Sequence, residues 1–267
     1  MDNGDHHEHR SFRQNGTRHR VDIRYWPRHR QGVCGGGGGC SGQRPNPIEG
    51  GDAIAKLSSA GKVRGIAADV STVEGCKVLL AAVPDVDILV NNTGIFEPKD
   101  FFDIPDEDWT RFFNVNVMSG IRLSRGYMPG MLKRDWGRIV FIASESALMI
   151  PKEMIHYGMT KTAQLAISRG LAELTRGTAV TVNAVMPGPT MSEGVKTFVQ
   201  DLAKQNGQSV DTAAANFIRE HRPTSLIQRF ASVDEIANMV VYVASKQASA
   251  TNGAALRAEG GLVPTIA

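Results

Sequence analysis

Beside a strand-like stretch at Val180-Thr181-Val182-Asn183-Ala184-Val185, two short apolar runs, Asp87-Ile88-Leu89-Val90 and Arg138 to Ala143, are continuous rather than alternating. That texture belongs to strands buried on both faces of a parallel sheet. Each of the three stops at a turn: Asn91-Asn92-Thr93-Gly94, then Ser144, then Met186-Pro187-Gly188-Pro189-Thr190. Helical patterns separate them, over about 72–82, 106–131, 155–176 and 232–246, the last announced by Ser232 and Glu235 in a capping-box spacing. A further strand is expected over Val63 to Ala68, ending at Asp69, after the end of a helix over 52–60. Strands alternating with helices of this length imply βαβ units with right-handed crossovers. The expected fold is α/β: a doubly wound, Rossmann-like parallel sheet in one domain. Its ligands bind at the carboxyl ends of the strands, so the three turns should line one crevice.

Tyr157 and Lys161 lie four apart in the third helical stretch, which puts a phenol and an ammonium on one face. A free tyrosine, with a pKa of about 10, is a poor acid or base near neutrality. A cation beside it favours the phenolate and moves the pKa toward working pH. Alone, this pair is a chance spacing in many helices, a core tyrosine and a solvated lysine. Its surroundings decide: Ser144 ends a strand upstream, and Asn116 stands in Asn114-Val115-Asn116-Val117-Met118-Ser119-Gly120. Asn252-Gly253-Ala254 and Glu259-Gly260-Gly261 follow near the end.

This ordered series resembles the short-chain dehydrogenase/reductase family over about residues 52–264. The resemblance implies an NAD(P)-dependent oxidoreductase moving a hydride between nicotinamide and a carbonyl or secondary alcohol. Tyr157 would be the general acid/base, Lys161 would lower its pKa and hold the ribose, Ser144 would hold the substrate oxygen, and Asn116 would anchor a water in a proton relay. Asp69 and Val70 would lie by the adenine. Asn92, Thr93 and Gly94, with Thr93 in place of the usual alanine, would shape the backbone at the cofactor, and Pro187, Gly188 and Thr190 would close over the nicotinamide. The family also implies a homotetramer or homodimer through the helices near 106–131 and 155–176.

Residues 1–51 have another texture: eight arginines, no lysine, five of the seven histidines and a five-glycine run between Cys34 and Cys40. A family member should show here a strand, a T-G-x-x-x-G-x-G turn and a helix, which present backbone N–H groups to a pyrophosphate. Gly35–Gly39 follows no apolar strand and opens no helix. Codons permitted for Arg18 to Pro27, read one base later, spell V-T-G-S-T-S-G-I-G, and extension both ways supplies the missing strand, turn, helix and second strand. Residues from about 12 to 50 are therefore expected to be a frame-shifted reading of a normal start. The shifted second strand ends in V-N-G-R-T, whose arginine would pair with a 2′-phosphate and favour NADP(H) over NAD(H). The alternative function is an impaired family member, a scaffold or subunit lacking the phosphate cradle as written.

Domain organisation is thus an aberrant segment over 1–51 and a catalytic domain over 52–267, with a helical substrate lid over about 191–231 built from helices near 192–206 and 211–220. Phe96, Met149, Ile150, Met154 and Met191 are candidates for an apolar substrate wall. His156 and Glu145 adjoin catalytic residues and are expected at the surface or behind the site rather than as bases. A net charge of +3 gives no reason to expect nucleic acid or an acidic membrane as partner. No apolar run approaches the roughly 20 residues of a membrane span. The polar opening lacks a signal-peptide core, and three sparse cysteines fit a reduced, cytoplasmic protein. Cys34 and Cys40 lack zinc-site spacing, so no metal is expected.

Overall fold

The structure, a computed structural model, describes residues 21–22 and 65–266. The shifted phosphate turn, Gly35–Gly39, Cys34, Cys40 and the helix expected over 52–60 lie outside the described residues.

Five parallel strands form one sheet in the order β1-β2-β3-β4-β5: β1 (Val21–Asp22), β2 (Ile88–Asn91), β3 (Gly137–Ile142), β4 (Val180–Pro187) and β5 (Ala255–Ala258). The short β1 pairs Val21 with Ile88 and Asp22 with Leu89. β3 is flanked by β2 through Ile88↔Arg138 and by β4 through Gly137↔Val180. Every residue of β2 is buried, as its unbroken apolar run requires.

Side chains alternate across the sheet, and the alternation sorts the core into two layers. Leu89, Ile139, Phe141, Val182, Ala184 and Met186 pack on one side against α1 (Val73–Ala82), α3 (Ser119–Lys133) and α4 (Ile155–Glu173). Ile88, Val90, Val140 and Val185 pack on the other against Val240, Val243 and Ala244 of α7 (Val233–Ala244). Helices on both faces make the sheet doubly wound, as expected. Phe141 is fully buried, and truncating such a ring to alanine costs about 3–5 kcal/mol. Gly120 lets α3 approach it: a Cβ there would lie 2.7 Å from Phe141 Cε1.

Local signals set the helix starts. Thr72 accepts from Gly75 N at 3.0 Å to cap α1, and Ser232 and Glu235 form the reciprocal capping box of α7. The stretch expected as one helix over 106–131 is α2 (Asp106–Phe113) and α3 joined through a π-turn at Asn114–Met118. Asp106, Glu107 and Asp108 place three acids in the first turn of α2, where the helix dipole favours them. The segment after β4 holds α5 (Glu193–Gln205) and α6 (Val210–His221), close to the expected pair of helices. They share a small core of Val199, Ala203, Ala213, Ile218 and Phe230.

One expectation is corrected. Gly65 to Asp69, the described part of the strand expected over 63–68, is irregular. A strand exists through its ladder, and no described strand pairs with this segment.

Candidate active site

Because all the strands are parallel, the turns after β2, β3 and β4 emerge at one edge of the sheet. Ser144, two residues beyond β3, is buried and caps a short 3-10 turn at Glu145–Ala147, its Oγ accepting from Ser146 N at 3.2 Å. Tyr157 and Lys161 stand on the first turns of α4, which passes over the same edge. The Lys161 Nζ lies 5.5 Å from the centre of the Tyr157 ring, and Phe96 meets that ring edge-on at 6.2 Å.

Lys161 is buried, donating to the Ile142 carbonyl at 2.8 Å and to Gln164 Oε1 at 3.2 Å. Two of an ammonium's three protons are thereby placed, leaving one for another acceptor. Burial depresses its pKa to about 8, against a smaller upward pull from Glu145.

Tyr157 departs from the expectation that its neighbouring cation would lower its pKa. Burial raises it well above the ordinary value, and the Glu145 charge adds to that, while the Ser144 hydroxyl and Arg222 pull it back. The Lys161 ammonium is aimed at Ile142 and Gln164 instead. The phenol is therefore neutral at physiological pH.

The π-turn brings Asn116 inward, 1 % exposed. Its Oδ1 accepts from Ile95 N at 2.7 Å, and its Nδ2 donates to the Ile95 carbonyl and to Thr160 Oγ1, both at 2.9 Å. The side chain thus pins the loop after β2 to α4. Gln164 donates to the Asn116 carbonyl at 2.5 Å, a contact sequence reasoning missed. Its position three residues after Lys161, on the same helical face, was the available signal.

Thr93 and Gly94 are exposed and Asn92 half-buried at the end of β2. A Cβ on Gly94 would lie 3.5 Å from Lys161 Nζ and 3.6 Å from Asn116 Oδ1, so this backbone borders the same space. Pro187, Gly188 and Thr190 are half-buried at the end of β4, with Thr190 Oγ1 donating to the Gly188 carbonyl at 2.9 Å. Asp69 and Val70 lie at the entry to α1, where the Asp69 carboxylate accepts from Ser71 N at 3.1 Å and Ser71 Oγ at 2.6 Å.

Both residues expected at the surface or behind the site are buried. His156 is 0 % exposed, its ring 4.1 Å from Phe112 and 5.9 Å from Trp109, and neither nitrogen has a hydrogen-bond partner among the described residues. Burial lowers its pKa, so it packs as a neutral ring. Glu145 accepts from the Ser144 hydroxyl and pairs with Arg222 Nε at 3.7 Å. Arg222 follows α6 and carries no sequence signal of its own. Among the described residues no group of acids, histidines and cysteines is arranged to hold a metal, and no helix is long and apolar enough to cross a membrane.

The residues bordering Lys161 fit the nicotinamide half of a dinucleotide: a bare backbone at Gly94, a spare ammonium proton and a neutral phenol. Residues 46–263 match the family model described as enoyl-(acyl carrier protein) reductase. The chain is 56% identical over 198 residues to the uncharacterized oxidoreductase YvaG of Bacillus subtilis (strain 168), covering 74% of this chain and 75% of that protein. It is 48% identical over 216 residues to a second uncharacterized oxidoreductase of that organism, YvrD, covering 80% and 82%. The crystal structure of L-sorbose reductase from Gluconobacter frateurii, complexed with NADPH and L-sorbose, superposes with a TM-score of 0.76 at 30% identity, covering 83% of this chain and 85% of that one.

Proposed function

The chain belongs to the short-chain dehydrogenase/reductase family of NAD(P)-dependent oxidoreductases, and on that premise we propose that it interconverts a carbonyl and a secondary alcohol with Tyr157 as general acid/base. The observation that carries this reading is the meeting of Ser144, Tyr157 and Lys161 at one sheet edge, with Asn116 tying the β2 loop to the same helix.

In reduction, the neutral Tyr157 phenol gives its proton to the substrate oxygen, and in oxidation it takes that proton back. Its raised pKa keeps the proton in place but makes the phenol a weaker acid, so the donor role rests on its position beside Ser144 and Lys161. Ser144 holds the substrate oxygen beside that phenol, its one hydroxyl proton turning from Glu145 to that oxygen. The remaining Lys161 proton goes to a ribose hydroxyl, and Asn116 positions the relay to solvent. Asn92, Thr93, Gly94, Pro187, Gly188 and Thr190 hold the nicotinamide half, and Asp69 and Val70 the adenine. The dinucleotide, when bound, supplies or accepts the hydride at nicotinamide C4.

We assign NADP(H) as the favoured cofactor, from the arginine in the shifted reading, and the NADPH complex of L-sorbose reductase supports the choice. Residues 191–231 act as the substrate lid, with Phe96, Met149, Ile150, Met154 and Met191 as apolar wall. The working unit is a homotetramer or homodimer in the cytoplasm, where a reduced, buried Cys76 belongs.

The test couples binding to turnover. The purified chain should quench with NADPH at micromolar concentration and oxidise it in the presence of small ketones, and Tyr157→Phe should bind but not turn over. No dinucleotide binding, with peptide masses matching Arg18 to Gln43 as written, would make the protein the impaired scaffold instead.

A further inference from the structure

We propose that Glu145 and Arg222 form a polar subsite for a hydroxyl on the carbon next to the reacting one, so that the preferred substrate is an uncharged α-hydroxyketone or the matching vicinal diol. The inference rests on the reading of Ser144 as the residue that holds the reacting oxygen.

Glu145 is 6 % exposed, yet it does not sit in a closed ion pair. Burying a carboxylate is costly unless it is paired and hydrogen-bonded. Ser144 Oγ donates to its Oε2, and Ser146 Oγ to its Oε1 at 3.3 Å. Its cation is Arg222, 3.7 Å away at Nε, and the same guanidinium lies 3.6 Å from Glu153 Oε1 through Nη1. Both separations exceed hydrogen-bond reach. Within that reach, among the described residues, Nη1 donates to the His221 carbonyl at 2.7 Å. A guanidinium carries five N–H donors in a rigid fork. Here the fork, its side chain 13% exposed, stands between two carboxylates without bonding either.

The arrangement selects for a ligand group that both donates and accepts. A hydroxyl gives its proton to Glu145 Oε1 and takes one from Arg222. A carboxylate suits it less well, because Glu145 and Glu153 flank the guanidinium on both sides and would repel an anion placed between them. An apolar substituent would leave the remaining acceptor sites of Glu145 and the remaining N–H groups of Arg222 without added bonds to offset their burial.

Position supplies the second half of the argument. Ser144 Oγ hydrogen-bonds Glu145 Oε2, so a substrate oxygen to which that hydroxyl proton turns lies within one further hydrogen-bond length of the carboxylate. The two oxygens of an α-hydroxyketone are themselves about a hydrogen bond apart, and match that spacing. Both charges also act on Tyr157, Glu145 raising its pKa and Arg222 lowering it, which places them within electrostatic reach of the reacting phenol. Arg222 comes from the end of α6, so the subsite joins the 191–231 segment to the chemistry.

The experiment is a saturation-transfer NMR titration of the full chain with meso-2,3-butanediol, 2-butanol and lactate, repeated on Glu145→Gln and Arg222→Met. The diol should bind at least about tenfold more tightly than 2-butanol, lactate should bind no better than 2-butanol, and each variant should bring the diol down to the mono-alcohol. Equal binding of diol and mono-alcohol, tightest binding of lactate, no binding of any, or a diol preference that survives in both folded variants would each overturn the subsite. If one variant loses its melting transition, the other decides. NADPH oxidation with acetoin is read in parallel. Absence of turnover despite a clear diol preference would sink the oxidoreductase reading while leaving the subsite standing.

Discussion

Gln164 holds Lys161 and Asn116 together with one amide: its Oε1 accepts from the Lys161 ammonium at 3.2 Å, and its Nε2 donates to the Asn116 carbonyl at 2.5 Å. All three side chains are buried. Gln164→Leu fills nearly the same volume and removes both bonds, leaving a buried ammonium and a buried carbonyl each short of a partner. Such groups cost about 1–3 kcal/mol. We expect the melting temperature to fall and kcat to drop about tenfold as Lys161 loses its orientation, measured by calorimetry and steady-state kinetics. A variant that melts and turns over like the parent would refute the clamp.

Tyr157 should carry the proton step without carrying the binding. Its phenol oxygen is the general acid in the proposed reaction, and such groups contribute about 10²–10⁴ in rate. Tyr157→Phe keeps the ring that Phe96 packs against edge-on, so the fold should hold. The expected outcome is a kcat lower by at least about 10², with the NADPH dissociation constant changed less than about threefold. Loss of NADPH binding in step with kcat would mean the ring serves the cofactor instead.

Lys161 should leave a signature in the pH dependence of stability. Its native pKa is about 8 against 10.5 for an ordinary lysine. Below pH 8 both folded and unfolded chains hold the proton, and the burial cost is fully present. Between those two values the unfolded chain keeps a proton the native one has released, so stability rises with pH. Tyr157 opposes this from pH 10 upward, where the unfolded phenol ionises and the native one, raised by burial, does not. The clean window is therefore pH 8 to 10. Measured at matched ionic strength, the melting temperature of the parent should rise relative to that of Lys161→Met across that window; a constant or falling difference would show that the ammonium is not desolvated.

Much of this arrangement is legible in the chain because strand burial and helix spacing are local properties. Ile88 to Val90 and Ile139 to Phe141 are apolar on both faces, and the sheet buries them on both faces. Ser232 and Glu235 form the box their spacing announces. The failures are all contacts made across the fold. No pattern in Asn114 to Met118 separates a π-turn from an α-helix, since both bury Asn116 and Val117 on one side. For Glu145 and His156 the chain leaves open a place at the surface or behind the site, because charge and imidazole are usually exposed, and the fold takes the second. Their burial depends on Arg222, Trp109 and Phe112, each far away in sequence. The direction of the Tyr157 shift has the same origin: desolvation, with Glu145 adding to it, raises the pKa while the neighbouring cation points elsewhere.

Two glycines at either end of one turn should respond in opposite ways. Gly188 follows β4, and a Cβ there would come within 2.7 Å of the Glu259 carbonyl oxygen and 2.8 Å of its Cα. Those atoms are backbone and are held: Glu259 is buried, its carboxylate pairs with Arg257 Nε at 2.8 Å, and it accepts from Val263 N at 3.2 Å. Gly188→Ala must therefore displace the end of β4 rather than a flexible side chain, at about 1–3 kcal/mol. The displaced backbone is also the one proposed to close over the nicotinamide, so NADPH affinity should fall with stability. Gly194, in the first turn of α5, meets nothing within 4 Å. There alanine adds helix propensity, up to about 1 kcal/mol, without a clash. Gly194→Ala should raise the melting temperature slightly and leave NADPH affinity unchanged. A Gly188→Ala protein as stable and as tight-binding as Gly194→Ala would show that the contact with Glu259 yields freely and does not set the geometry of the crevice.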